Sequence, residues 1–203
     1  MRYVWYDASM TDSIASQTQV LSFWFGDEYE KGNEKEGKNF WFTKRDETDQ
    51  YIRERFEATV SAARRGKLDT WAGTARGRLA LIIVLDQFPR NIHRDTPEAF
   101  ASDAQALALA KEGIVKGMDK ELEGHEQAFF YMPFMHSEDL ADQERSVALF
   151  TKLAEAGTWD ASWAIKHKKV IDRFGRYPHR NSILGRVSTP EELEYLKDPN
   201  AGF

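Results

Sequence analysis

Apolar positions along this chain recur at helical spacing almost from end to end. Ile52, Phe56, Val60 and Ala63 follow one another at steps of four, four and three, which lays them along one stripe of a helix over about Asp46 to Arg65, ended by Gly66. An earlier helix is predicted from about Asp12 or Ser13 to Phe25. Ile14, Leu21 and Phe25 share a face there, with Val20 and Trp24 beside it, and Gly26 follows as a stop. From Trp71 to Phe88 the pattern changes. Leu79, Leu81, Ile82, Ile83, Val84 and Leu85 make the segment apolar nearly all round, so it reads as the central helix of the core. A run this short also fits a buried strand, but its length and flanks favour a helix, with Pro89 expected to stop it.

The second half carries the same period. Thr96-Pro97-Glu98 reads as a helix start, with Ser102-Asp103 as a restart leading to Ala104, Leu107, Ala108 and Ile114. Glu121 to Met132 is a short aromatic helix expected to end near Pro133. Asp139 to Ala156, striped by Val147, Phe150 and Ala154, closes at Gly157. Trp159 to Phe174, with Ala164, His167, Ile171 and Phe174 on one face, closes at Gly175. Thr189-Pro190-Glu191-Glu192 is a capping box opening a brief last helix with Leu193 and Leu196. The expectation is an all-α chain of about eight helices with short connections, which makes antiparallel neighbours the default. Residues 13–203 form a single helical domain in this reading, preceded by a flexible arm over residues 1–12. Asp27 to Lys38 is read as an exposed loop, after which Phe40, Trp41 and Phe42 anchor the chain back on the core.

Composition narrows the classes. A chain of 203 residues can bury a sizeable core, and with no cysteine it has no disulfide, thiol chemistry or cysteine-held zinc. A net charge of -5, with both signs spread along the chain, argues against a nucleic-acid partner. No apolar run is long enough for a membrane span, and residues 1–10 lack the pattern of a signal peptide, so a cytoplasmic location is the expectation.

Three stretches are distinctive. They are Leu85-Asp86-Gln87-Phe88-Pro89-Arg90-Asn91-Ile92 continuing to Ala99-Phe100-Ala101-Ser102-Asp103; Phe129-Phe130-Tyr131-Met132-Pro133-Phe134-Met135-His136-Ser137-Glu138-Asp139; and Arg173-Phe174-Gly175-Arg176-Tyr177-Pro178-His179-Arg180-Asn181 with Leu184-Gly185-Arg186. With the aromatic start Phe23-Trp24-Phe25, the chain closely resembles, over about Val20 to Phe203, a large bacterial family known only as a domain of unknown function. The resemblance implies a right-handed, tetratricopeptide-like array of antiparallel helical hairpins and no established activity, since a fold alone does not carry function. It departs at Met135, where an acidic or other polar residue is expected in many relatives.

The polar residues of these stretches sit among apolar ones. Asp86, Arg90, His136, Glu138, His167, Arg173, His179 and Arg180 are the candidate pocket or binding cluster. Buried arginine and histidine are costly unless paired, so these groups must find carboxylates or a ligand. Four readings are open. In the first, Asp86, Glu138 and Asp139 pair with Arg90, Arg173 and Arg180 as a structural network. In the second, the arginines grip a small anion while His136, His167 or His179 acts as general base, oriented by Glu138 or Asp86, as in a hydrolase or lyase. In the third, His136, Glu138 and His167 or His179 hold a metal; His125-Glu126 fails as a zinc motif because position 129 is Phe. In the fourth, a concave helical surface clamps a protein or peptide partner. No phosphate loop, dinucleotide fingerprint or nucleophile motif is present. The reading is therefore a binding or scaffold protein with no cofactor or metal and an unidentified anionic ligand or protein partner. A small-molecule enzyme acting on an anionic substrate is the alternative.

Overall fold

The computed structural model describes residues 13–26, 40–199 and 201, among which there are eight helices and no strand. The expected arm over residues 1–12 and most of the loop read from Asp27 to Lys38 lie outside the described residues. Helix α1 spans Gln17–Phe25. It starts later than its apolar spacing indicates, because Ser16 and Gln19 form a reciprocal capping box: Gln19 N donates to Ser16 Oγ at 3.3 Å and Ser16 N donates to Gln19 Oε1 at 2.8 Å. Helix α2, Asp46–Arg64, opens on Asp46, Glu47 and Asp49, carboxylates that suit the positive end of the helix dipole. Its Ile52, Phe56, Val60 and Ala63 stripe is buried.

Helix α3 covers residues 75–92 without interruption and is the central element. Thr74 caps it by accepting from Gly77 N at 3.1 Å. Pro89 does not stop it. The helix widens to a π turn over Ile83–Gln87, in which Phe88 N donates to Ile83 O, and then runs on to Ile92. Pro89 has no N–H to offer the carbonyl of Leu85, four residues back. Ser102 Oγ donates to that carbonyl instead, at 2.7 Å. The proline is thus carried by a wide turn and a side-chain substitute.

Two further boundaries differ from the sequence reading. Thr96-Pro97-Glu98 opens only the single 3-10 turn Pro97–Ala99, and α4, Asp103–Val115, begins at the restart. Pro133 lies inside α5, Gly124–His136, which continues one residue past Met135 before ending at Ser137. A proline already holds φ near the helical value, so this buried helix loses one hydrogen bond without breaking. Helices α6 (Leu140–Glu155), α7 (Ser162–Phe174) and α8 (Pro190–Tyr195) follow. Asp139 caps α6 through its Oδ1, and Gly175, at φ +66°, closes α7 in the left-handed conformation that glycine adopts freely. The Thr189–Glu192 capping box opens α8 as expected.

Helix α2 packs on the second half of α3, α5 on α6, and α6 on α7. Aromatic rings fill the centre: Trp24 meets Phe88 at 5.6 Å and Phe129 at 5.4 Å edge to face, and Phe56 meets Phe88 at 4.6 Å between centroids. Helix α4 reaches α5 through Gly113. A methyl group there would stand 2.4 Å from Phe130 Cζ and 2.7 Å from Arg78 Cδ, so a larger residue fits only if these buried side chains shift. A smaller apolar group, Val170, Ile171 and Tyr177 with Phe174 and Tyr195 against it, lies at the C-terminal end. Among the described residues no helix is long and apolar enough to cross a membrane.

Candidate functional site

Asp86 and Gln87 lie in the π turn of α3, and the wide turn places both side chains inside the protein. Asp86 is wholly buried. Its Oδ1 stands 2.8 Å from His136 Nδ1, at the end of α5, and 3.4 Å from Arg90 Nη1, while its Oδ2 accepts from Gln87 Nε2 at 2.5 Å. Burial favours the neutral acid, but Arg90, His136 and Gln87 outweigh it and hold the carboxyl below its ordinary range. An ionised carboxylate only accepts, so His136 Nδ1 carries the proton and Nε2 the lone pair. Burial and the nearby Arg90 push the His136 imidazole toward its neutral form.

Arg90 is tied. It donates to Asp103 at 2.9 Å through both Nη atoms and to the carbonyl of Asp86. Arg180 is not. Only 7% of the residue is exposed, and its guanidinium lies 4.6 Å from both the Phe100 and the Tyr177 ring centroids. Asp103 Oδ2 is 3.6 Å from Nη1, an ion pair too long for a hydrogen bond, and Nε is buried with no hydrogen-bond partner among the described residues. Burial and the like charge of Arg90 lower its affinity for the proton.

Tyr177 sits at the middle. Its ring lies 5.7 Å from His167 and 5.6 Å from His179, and His167 lies 6.4 Å from His136. His167 Nδ1 is 2.8 Å from the carbonyl of Trp163, an acceptor, so the proton is on Nδ1 here as well. Burial, then the neighbouring His136, pushes His167 down to about 3; burial and Arg180 push His179 down to about 4. Both imidazoles are neutral near pH 7.

The structure thus gathers Asp86, Arg90, His136, His167, His179 and Arg180 around Tyr177. Glu138 flanks this group and belongs to a second network. It takes Arg186 in a two-point pair at 2.6 and 3.0 Å and accepts from Tyr177 N at 2.8 Å. Arg173 lies apart, paired with Glu191 at 2.8 Å on the surface. Asp139 caps α6 and pairs with none of the three arginines assigned to the carboxylates in the network reading. Asp103, Gln87, Tyr177, Phe100 and Arg186 join these residues in the structure although none of them is among the eight sequence candidates. Asp103 and Tyr177 lie in the distinctive stretches, but a first-turn acid and a turn aromatic have ordinary structural roles and draw no notice. Met135, the position of departure from the resemblance, has its side chain in the core, and its carbonyl accepts from Tyr177 Oη at 2.6 Å.

Among the described residues no three His, Asp or Glu side chains are arranged to hold a metal ion. Two open clefts lie elsewhere. One of about 570 Å³ is lined by Thr70, Arg78, Gln105 and Glu112, and one of about 510 Å³ by Asp49, Arg53, Asn91 and Arg94. In both, the arginines are already tied: Arg78 to the carbonyls of Ala72 and Leu109, Arg53 to the carbonyl of Ile92, and Arg94 to Asp49 through two bonds.

The family described as "Bacterial protein of unknown function (DUF924)" matches residues 20–200. A solved structure, the protein of unknown function ATU0120 from Agrobacterium tumefaciens, is 38% identical to this chain, with a TM-score of 0.79 over 90% of this chain and 97% of that one. No curated protein matches. The chain belongs to this bacterial family of unknown function.

Proposed function

We propose that this family member is a binding protein for a small anionic molecule, taken at Arg180 in the group around Tyr177. One observation supports the reading above the others: Arg180 is buried, pressed between two rings, and makes no hydrogen bond from its guanidinium to any described residue. A guanidinium has five N–H donors, and a structural network spends them, as Arg186 shows through all three of its nitrogens. Two ring centroids stand 4.6 Å from the guanidinium carbon, so a ligand meets its N–H edge, the geometry that suits the two oxygens of a carboxylate or phosphate.

The reading of the same group as an enzyme site has its own support. Asp86 holds the Nδ1–H of His136 and leaves a neutral imidazole with its lone pair on Nε2, the arrangement of an oriented general base. Substrate chemistry at His136 then requires the anion to be held first, so binding is the property to test.

The test is a thermal-shift screen of the full chain with phosphate, phosphorylated metabolites and small carboxylic acids. An acid at a hundredfold its dissociation constant adds about 2.7 kcal/mol, a rise of roughly 5–10 °C at this size. The expected result is a rise with one class of anion, lost in Arg180→Ala and kept in Arg173→Ala. A flat screen defeats the reading and returns a protein partner as the object of search.

A further inference from the structure

Arg180 and His136 offer a ligand opposite things. Arg180 has only donors. His136, with its proton fixed on Nδ1 by Asp86, offers an acceptor at Nε2. The His136 side chain is 15% exposed, and no described residue is hydrogen-bonded to its Nε2. The two residues flank one run of contacts: Arg180 Nη1 is 3.6 Å from Asp103 Oδ2, Asp103 also takes Arg90 at 2.9 Å, and Arg90 is 3.4 Å from the Asp86 carboxylate that holds His136 at 2.8 Å. A molecule that satisfies both must carry an anionic acceptor and, close to it, a hydrogen-bond donor.

We infer that the ligand is a hydroxy acid, its carboxylate or phosphate held by Arg180 and its hydroxyl donating to Nε2 of His136. The inference rests on the anion reading and adds the class of molecule. A plain acid fills half of the site and leaves the oriented nitrogen without its partner, which costs affinity when the site closes around it. A hydroxyl at Nε2 is also where an imidazole base would take a proton, so the same contact defines the atom at which chemistry would begin.

Acids matched but for a hydroxyl make the test: L- and D-malate against succinate, and 3-phosphoglycerate against 3-phosphooxypropionate, titrated calorimetrically into the full wild-type chain. The hydroxyl-bearing member of at least one pair is expected to bind about tenfold more tightly. His136→Phe is expected to erase that preference while the plain acid still binds, and Arg180→Met to remove both members. Equal affinities within every pair in the wild type overturn the inference and leave the anion reading standing, whatever the variants do. A preference that survives His136→Phe overturns it too, by placing the hydroxyl elsewhere. If neither member of either pair binds, the anion reading fails and this one fails with it.

Discussion

Arg186 and Arg180 stand six residues apart in one short segment and meet opposite fates. Arg186 spends every nitrogen: two on Glu138, a further bond to the Tyr177 carbonyl at 3.0 Å, and Nε on Asn181 at 2.9 Å. Around it, Arg176 grips Glu192 at 2.6 and 2.8 Å, and Glu192 also accepts from Thr189 N and Asn181. That network ties the segment after α7 to α8 and to the start of α6. Arg180, equally cationic and more deeply buried, is held by rings and by charge at a distance. The difference separates two uses of buried charge. A tie is recognised by saturation, and a candidate site by donors and acceptors held in place with their capacity unspent.

The comparison breaks or sharpens under substitution. The largest effect is expected for Asp86→Ala, which removes the common partner of Arg90, His136 and Gln87 from a wholly buried position. Unpairing a buried charge of this kind costs about 3–5 kcal/mol, readable as a shift in the urea midpoint. Acid should come next. Unfolded histidines take up protons near pH 6.5, whereas folded His179 and His167 resist down to about 4 and 3. Between those limits the unfolded state binds more protons, so stability falls as pH falls, by up to about 1.4 kcal/mol per pH unit for each histidine. Denaturation midpoints across pH 4–7 should flatten in His167→Leu; an unchanged slope would show that His167 does not carry it.

Smaller effects test the two sides directly. Tyr177→Phe removes the hydroxyl that donates to Met135 O and accepts from Gln143, and should lose about 1–3 kcal/mol. Arg180→Met, which exchanges an unsaturated charge for apolar bulk between Phe100 and Tyr177, should leave stability within about 1 kcal/mol or raise it. A loss there as large as that of Asp86→Ala would make Arg180 a tie like Arg186. Arg173→Ala, at an exposed pair, should change stability by about 0.5 kcal/mol or less.

The helices were legible because their stripes are regular, and the capping box at Thr189 was legible because both of its members are local. Pro89 misled for the opposite reason. What lets α3 pass it is the hydroxyl of Ser102, thirteen residues on, and no local rule connects the two. The candidate site divides similarly. Asp86, Arg90, His136, His167, His179 and Arg180 stand out in sequence as polar groups among apolar neighbours, and the fold brings them together. Arg173 has the same neighbours in sequence but lies on the outward face of α7 with Glu191 in reach. Asp103 looked like any acid in the first turn of a helix, yet it is the carboxylate that Arg90 and Arg180 share. Whether an arginine is spent or unspent depends on acceptors that arrive from other helices.

The wide turn of α3 makes the candidate site a matter of counting. Each residue inserted into or deleted from a regular helix rotates everything beyond it by about 100°. Removing one residue from Ile83–Gln87 would instead let an ordinary α turn form, with four residues spanning what five span now, so Phe88, Pro89 and Arg90 would nearly keep their bearing and the inward placement of Asp86 and Gln87 would be lost. His136 and Gln87 would then lose the Asp86 carboxylate that orients them. Drift in this stretch is therefore open to exchanges of side chain and closed to changes of length.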